Sequence, residues 1–114
     1  MIARIWRGIT PVEKADAYLE HLRETGLRAY ASVSGCRRVE VLKRVQGEHC
    51  EIMLISLWDS MDAVREFAGK NPDRSVYYPE DDQYLLEMEP LVRHYEVVDG
   101  LLPMGISGVE KLTR

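Results

Sequence analysis

Few of the signals that assign chemistry to a small protein are present in this chain. Its 114 residues hold two cysteines, one phenylalanine and three dispersed histidines. They contain no nucleophile elbow, no phosphate-binding loop and no dinucleotide fingerprint, which disfavours the classes built on those motifs. No pair of histidines has the spacing of a local metal site. Basic residues are scattered and the net charge is −4, so there is no electrostatic footprint for nucleic acid. The apolar runs fall far short of the roughly 20 residues needed to span a bilayer. Met1 leads directly into Ile-Ala-Arg-Ile-Trp, which lacks the pattern of a signal peptide, so a cytoplasmic location is expected.

What remains is the composition of one globular domain with one modest core. The stretch from Glu51 to Phe67 is the most informative. Ile52 to Leu57 is an apolar run of strand length closed by Trp58. Asp59 or Ser60 can cap a helix on which Met61, Val64, Phe67 and Ala68 recur at helical spacing. Upstream, Met1 to Arg7 reads as a strand, with Ile2, Arg4 and Trp6 on one face and Ala3, Ile5 and Arg7 on the other. Thr10, Pro11 and Glu13 together predict a capping box for a first helix striped by Val12, Ala15, Leu19 and Leu22. Gly26 predicts a stop or kink, with one more turn over Leu27 to Ala31.

Val39, Val41 and Val45 alternate with Arg38, Glu40 and Arg44, which predicts a half-buried strand. A turn at Gln46-Gly47 sends the chain back as a hairpin. If Val45 faces Glu48, Cys36 and Cys50 lie about seven residue rises apart, roughly 20 Å or more. That is too far for a disulfide, and two buried reduced thiols are expected. Short helices are predicted over Asp73 to Tyr78 and from Pro79 to Met88, then a last strand from Leu91 to Val98. The order β-α-β-β-α-β defines a ferredoxin-like α+β fold with an antiparallel sheet. Residues 1–98 form this domain. The sheet's second face is not cleanly polar, and a second copy related by a two-fold axis is its simplest cover. The tail, 99–114, is too apolar for a typical disordered segment and is expected to dock in part, on the partner subunit.

The element order, the Leu57-Trp58-Asp59-Ser60 corner with Ala63 and Phe67 behind it, and the closing His94-Tyr95-Glu96-Val97-Val98 strand resemble the antibiotic biosynthesis monooxygenase superfamily. That resemblance implies a homodimeric α+β barrel with a pocket between each sheet and its helices. It also implies either oxygenation of phenols to quinones without metal or flavin, or oxidative degradation of haem. The haem-degrading motif has an Asn on the first strand, a Trp on the second helix and a following His. Here the first strand reads Ile5-Trp6-Arg7, Phe67 stands at the Trp and Tyr77 at the His, so no cofactor is expected and haem is disfavoured.

Candidate residues follow from both readings. Trp58 is expected to be a structural anchor. Trp6, Phe67, Tyr77 and Tyr78 are candidate pocket walls for a small hydrophobic ligand. Arg7 and His94 are the candidate catalytic pair, a cation to hold a phenolate and a group that titrates near neutrality. Glu80, Asp81 and Asp82 are adjacent on a helical turn and point in different directions, so no metal site is expected. The expected activity is a cofactor-independent monooxygenase reaction on a small aromatic molecule. The alternatives are a non-catalytic ligand-binding or stress-response dimer, and a haem protein with an altered site.

Overall fold

The computed structural model describes the backbone of residues 1–103 and 109–111, and the side chains of residues 1–100. β1 (Ile2–Pro11) lies between β3 (His49–Trp58) on one side and two short strands, β4 (Glu87–Met88) and β5 (Arg93–Glu96), on the other. β2 (Cys36–Gln46) adds to the far edge of β3. All these pairings are antiparallel and the sheet is open, a ferredoxin-like α+β fold. The last described residues form a separate two-stranded ladder, β6 (Leu101–Pro103) with β7 (Val109–Lys111). The expected docking of the tail lies outside the described residues. No described helix is long and apolar enough to cross a membrane.

Strand parity divides the sheet. Arg4, Trp6, Gly8 and Thr10 on β1 are buried, as are Cys50, Ile52, Leu54, Ser56 and Trp58 on β3. Alternate side chains of a strand leave on opposite faces, so these form one surface. It packs with Ala15, Tyr18 and Leu22 of α1 (Ala15–Glu24), Tyr30 of α2 (Gly26–Ala31), and Ala63 and Val64 of α3 (Met61–Ala68). Residues of the other parity, including Ile5, Ile9, Met53 and Ile55, are only half-buried, and Leu42 and Tyr95 are exposed.

The corner after β3 forms as the sequence predicts. Ser60 caps α3, its Oγ accepting from the Ala63 amide at 3.2 Å. Asp59 receives both Arg37 Nε at 2.8 Å and Nη2 at 2.6 Å, and its amide donates to the Gly35 carbonyl. A Cβ on Gly35 would lie 2.5 Å from Ala63 Cβ, so this approach of loop to helix requires glycine.

Four local expectations are corrected. Thr10 does not cap a helix: β1 stays paired to β3 through Pro11, opposite His49, and Val12 donates to Glu48. A 3-10 turn, Val12–Lys14, precedes α1 without a side-chain cap. The hairpin turns on Gly47 and Glu48, with Gly47 at φ 58°, so Val45 faces Cys50 instead of Glu48. This slip of two positions leaves Arg38 to Gln46 on their predicted faces, while an irregularity between Cys36 and Arg38 puts Cys36 opposite Trp58. Both cysteines are free, as expected, since Cys36 pairs with Trp58 while Cys50 sits at the other end of β3; only Cys50 is buried, and Cys36, at the strand's first residue, is half-exposed. Asp73 to Tyr78 is not helical; Arg74 instead bridges to Leu91. The region from Pro79 to Met88 holds one 3-10 turn, Asp81–Gln83, and then β4.

Candidate functional site

Between the sheet and α1, α2 and α3 lies a cavity of about 20 Å3, closed over by the connection from α3 to β4. That volume holds about one water molecule. Trp6 supplies part of the floor, its ring lying above Gly8, where a Cβ would come within 2.5 Å of the indole. Only glycine at that position lets the indole lie flat along its own strand. Phe67 enters from α3, while Tyr77 and Tyr78 come from the covering segment. Tyr18 and Tyr30 complete the aromatic wall from α1 and α2. Trp6 and Tyr77 meet edge to face at 6.3 Å, and the indole N–H reaches the Tyr77 hydroxyl at 3.3 Å. That hydroxyl donates onward to the Glu89 carbonyl at 2.6 Å.

Burial pushes the Tyr18, Tyr30, Tyr77 and Tyr78 phenols above the ordinary tyrosine range, because a phenolate there would lose its hydration. At neutral pH these walls therefore offer hydroxyl groups and no base.

Two polar groups close the cavity at its margins. Asp81 is buried: its Oδ1 meets His21 Nε2 at 2.8 Å and its Oδ2 accepts from the Tyr78 amide at 2.6 Å. Glu80 and Asp82, its neighbours, point to solvent. Arg4 lies on β1 two residues before Trp6 and is only 1% exposed. Its guanidinium bonds to the Pro72 carbonyl, to the Arg74 carbonyl at 3.1 Å and to His94 Nε2 at 2.9 Å. It also stands 5.5 Å from the centre of the Phe67 ring.

The structure thus brings Trp6, Phe67, Tyr77 and Tyr78 to one cavity. His94, on β5, stands behind Arg4 and does not line the cavity. Arg7 is not brought there. It occupies the opposite face of the sheet, paired with Glu51 and with Glu89, which is the consequence of strand parity. Trp58 is fully buried in the core, donating to Ser56 Oγ at 2.8 Å. Arg4, Tyr18 and Tyr30 were not candidates on sequence grounds, and Asp81 was weighed only as a metal ligand. For Arg4 a signal existed, since it shares a strand face with Trp6.

The chain Arg4–His94–Asp73 fixes a proton. Arg4 can only donate, so His94 Nε2 accepts, and Nδ1 carries the hydrogen given to Asp73 Oδ1 at 3.0 Å. Burial, reinforced by the Arg4 charge, holds the His94 pKa below its ordinary value of 6.5, against the opposing pull of Asp73. Between the two values the unfolded chain binds more protons than the folded one. This contribution to stability is therefore complete above pH 6.5 and is lost as pH falls toward the lower folded value. We expect His94→Asn to show a smaller drop in Tm than the parent between about pH 7 and pH 5. Equal drops in both proteins would contradict this assignment of the proton.

The profile of the antibiotic biosynthesis monooxygenase family matches residues 1–72, and the chain belongs to that family. Among solved structures it is similar to Rv0793 from Mycobacterium tuberculosis, with 20% identity and a TM-score of 0.59 over 86% of this chain and 95% of that one. It is also similar to a mutant of MhuD solved with two manganese protoporphyrin IX molecules bound per active site. There the identity is 20% and the TM-score 0.54, over 92% of this chain and 99% of that one. At this identity the two structures share the fold. No curated protein matches the sequence.

Proposed function

We propose that the cavity between sheet and helices binds a small aromatic molecule, and that the chain is a cofactor-independent monooxygenase of this family. The wall of six aromatic side chains carries the reading. Trp6, Tyr18, Tyr30, Phe67, Tyr77 and Tyr78 face one space, and flat rings recognise flat rings through offset and edge contacts. In the reaction an activated ring carbon of a quinol-type substrate gains one oxygen atom of O2 and becomes a carbonyl. The substrate supplies both electrons and two hydrogens, and the second oxygen atom leaves as water. The cavity is small as it stands, so a tricyclic substrate requires the covering segment to move outward.

The reaction is tested by mixing protein with anthrone-type quinols under nitrogen and then admitting air. Oxygen uptake and quinone formation above the uncatalysed rate are expected. Rates equal to the buffer control across the panel would sink the enzymatic reading. We further propose a homodimer in which the half-buried sheet face around Ile5, Met53 and Ile55 meets its own copy; light scattering at micromolar concentration reads twice the chain mass if so, and a monomer overturns it.

One observation favours a non-catalytic binding role instead. No free base lines the cavity, because its phenols stay protonated and both oxygens of Asp81 are engaged. Native mass spectrometry showing a retained ligand without turnover would select that reading. The haem alternative would require Trp6 to leave the floor and the Tyr77 hydroxyl to give up its bonds to Trp6 and Glu89. A haem titration without a Soret shift would remove that reading.

A further inference from the structure

Arg4 is a cation in an unusual position. It is buried against Phe67, and no carboxylate among the described residues forms an ion pair with it. The nearest acid that acts on it is Asp73, which bonds to His94 instead. Burying a guanidinium without a counter-charge is costly, and proteins ordinarily pair or neutralise such groups. Four neutral partners hold it in place: two backbone carbonyls through Nη1 and Nη2, His94 through Nη1, and the Tyr30 phenol, which hydrogen-bonds to the guanidinium. Its Nε–H is buried and has no partner. Nε–H and Nη2–H lie on one edge of the planar fork, the edge that matches the two oxygens of a carboxylate. The Tyr30 phenol stands beside this group and Arg4 lines the cavity.

We infer that Arg4 is an oxyanion anchor in the aromatic cavity, so that the ligand is an aromatic ring bearing a carboxylate or a phenolate-type oxygen. This deepens the reading of the cavity as a ligand site and rests on it. The carbonyls of Pro72 and Arg74 hold the guanidinium in place before the ligand arrives, which limits the ordering cost on binding. His94 is a positioning residue: as the Nδ1–H tautomer it presents a lone pair to Arg4 and adds no counter-charge. Asp81 is the other charge at the cavity, and its two oxygens are already bonded to His21 and to the Tyr78 amide.

The test uses two probes of similar shape, naphthalene-2-carboxylate and its uncharged methyl ester, each titrated into the full chain by NMR. The indole N–H of Trp6 reports on the cavity and that of Trp58, in the core, serves as the internal control. The carboxylate is expected to shift the Trp6 signal and to bind at least about tenfold more tightly than the ester, as a charge-assisted bidentate contact requires. Arg4→Met should abolish that preference while leaving ester affinity within about threefold, and Arg4→Lys, which keeps the charge and loses the fork, should fall between. Equal affinity of the two probes at Trp6 in the unaltered protein would overturn the anchor and leave the aromatic cavity standing. A Trp6 signal unmoved by either probe would overturn both. Because the unaltered protein alone decides between these results, a variant that failed to fold would not shelter the proposal.

Discussion

Replacing Trp58 by alanine is expected to remove about 3–5 kcal/mol of stability, the usual cost of deleting a large aromatic from a packed core. Trp58 has no exposed surface. It touches Tyr30 edge to face at 5.7 Å and Phe67 at 5.7 Å, and so ties β3 to α2 and to α3. Its indole N–H is the donor to Ser56 Oγ, and that hydroxyl is itself buried against β1, 3.4 Å from the Arg4 carbonyl. Truncation leaves a cavity where these elements meet and strips a buried hydroxyl of its donor, and neither loss is repaired by water. Domains of this size have about 5–15 kcal/mol in all, so Trp58→Ala should bring the chain close to unfolding at body temperature. Urea denaturation followed by circular dichroism reads the change. Trp58→Phe, which keeps most of the volume and loses only the donor, should cost less than half as much. An alanine variant within 1 kcal/mol of the parent would mean that the corner is held by the Ser60 cap and the Arg37–Asp59 pair alone.

The corner was legible because its signals are local and agree: a continuous apolar run, a large aromatic, a capping serine and a helical stripe within one short stretch. The strand parity of β1 was equally legible and places Arg4 beside Trp6 and Arg7 on the opposite face. The sequence could not say that an arginine would be the buried member. Its acceptors are carbonyls of Pro72 and Arg74, about seventy residues away, and nothing in their side-chain identities announces them. Thr10-Pro11-Val12-Glu13 is a sound capping signal that lost to a competitor. β3 still offers pairing partners at Cys50 and His49, so the strand continues past its predicted end. The segment from Asp73 to Met88 failed for a related reason. Its acids and tyrosines suit a helix start, yet they are used singly, with Tyr77 and Tyr78 turned to the cavity, Asp81 to His21, and Arg74 to the strand-like bridge with Leu91.

That segment is also where the second large effect is expected. Asp81→Ala should destabilise the cover of the cavity by about 2–4 kcal/mol, because each buried group left unpaired costs about 1–3 kcal/mol. Two such groups appear at once, the His21 ring nitrogen and the Tyr78 amide. The surroundings cannot compensate. His21 is stacked on Tyr84 at 5.2 Å and its side chain is nearly buried, so it cannot turn to water without breaking that stack. Glu80 immediately before it has φ 79°, a left-handed conformation that is unfavourable for a residue with a side chain and persists only while its neighbours hold it. Removing the Asp81 carboxylate releases the main restraint on that turn. Hydrogen exchange should then rise over residues 77–85 while the β1–β3 ladder stays protected, since opening of the cover is local and does not require the sheet to separate. Asp81→Asn separates charge from geometry: it keeps one acceptor for the Tyr78 amide and should lose about half as much. If the alanine variant exchanged faster across β1 and β3 as well, the cover and the sheet would be one cooperative unit, and a ligand could enter only by global opening.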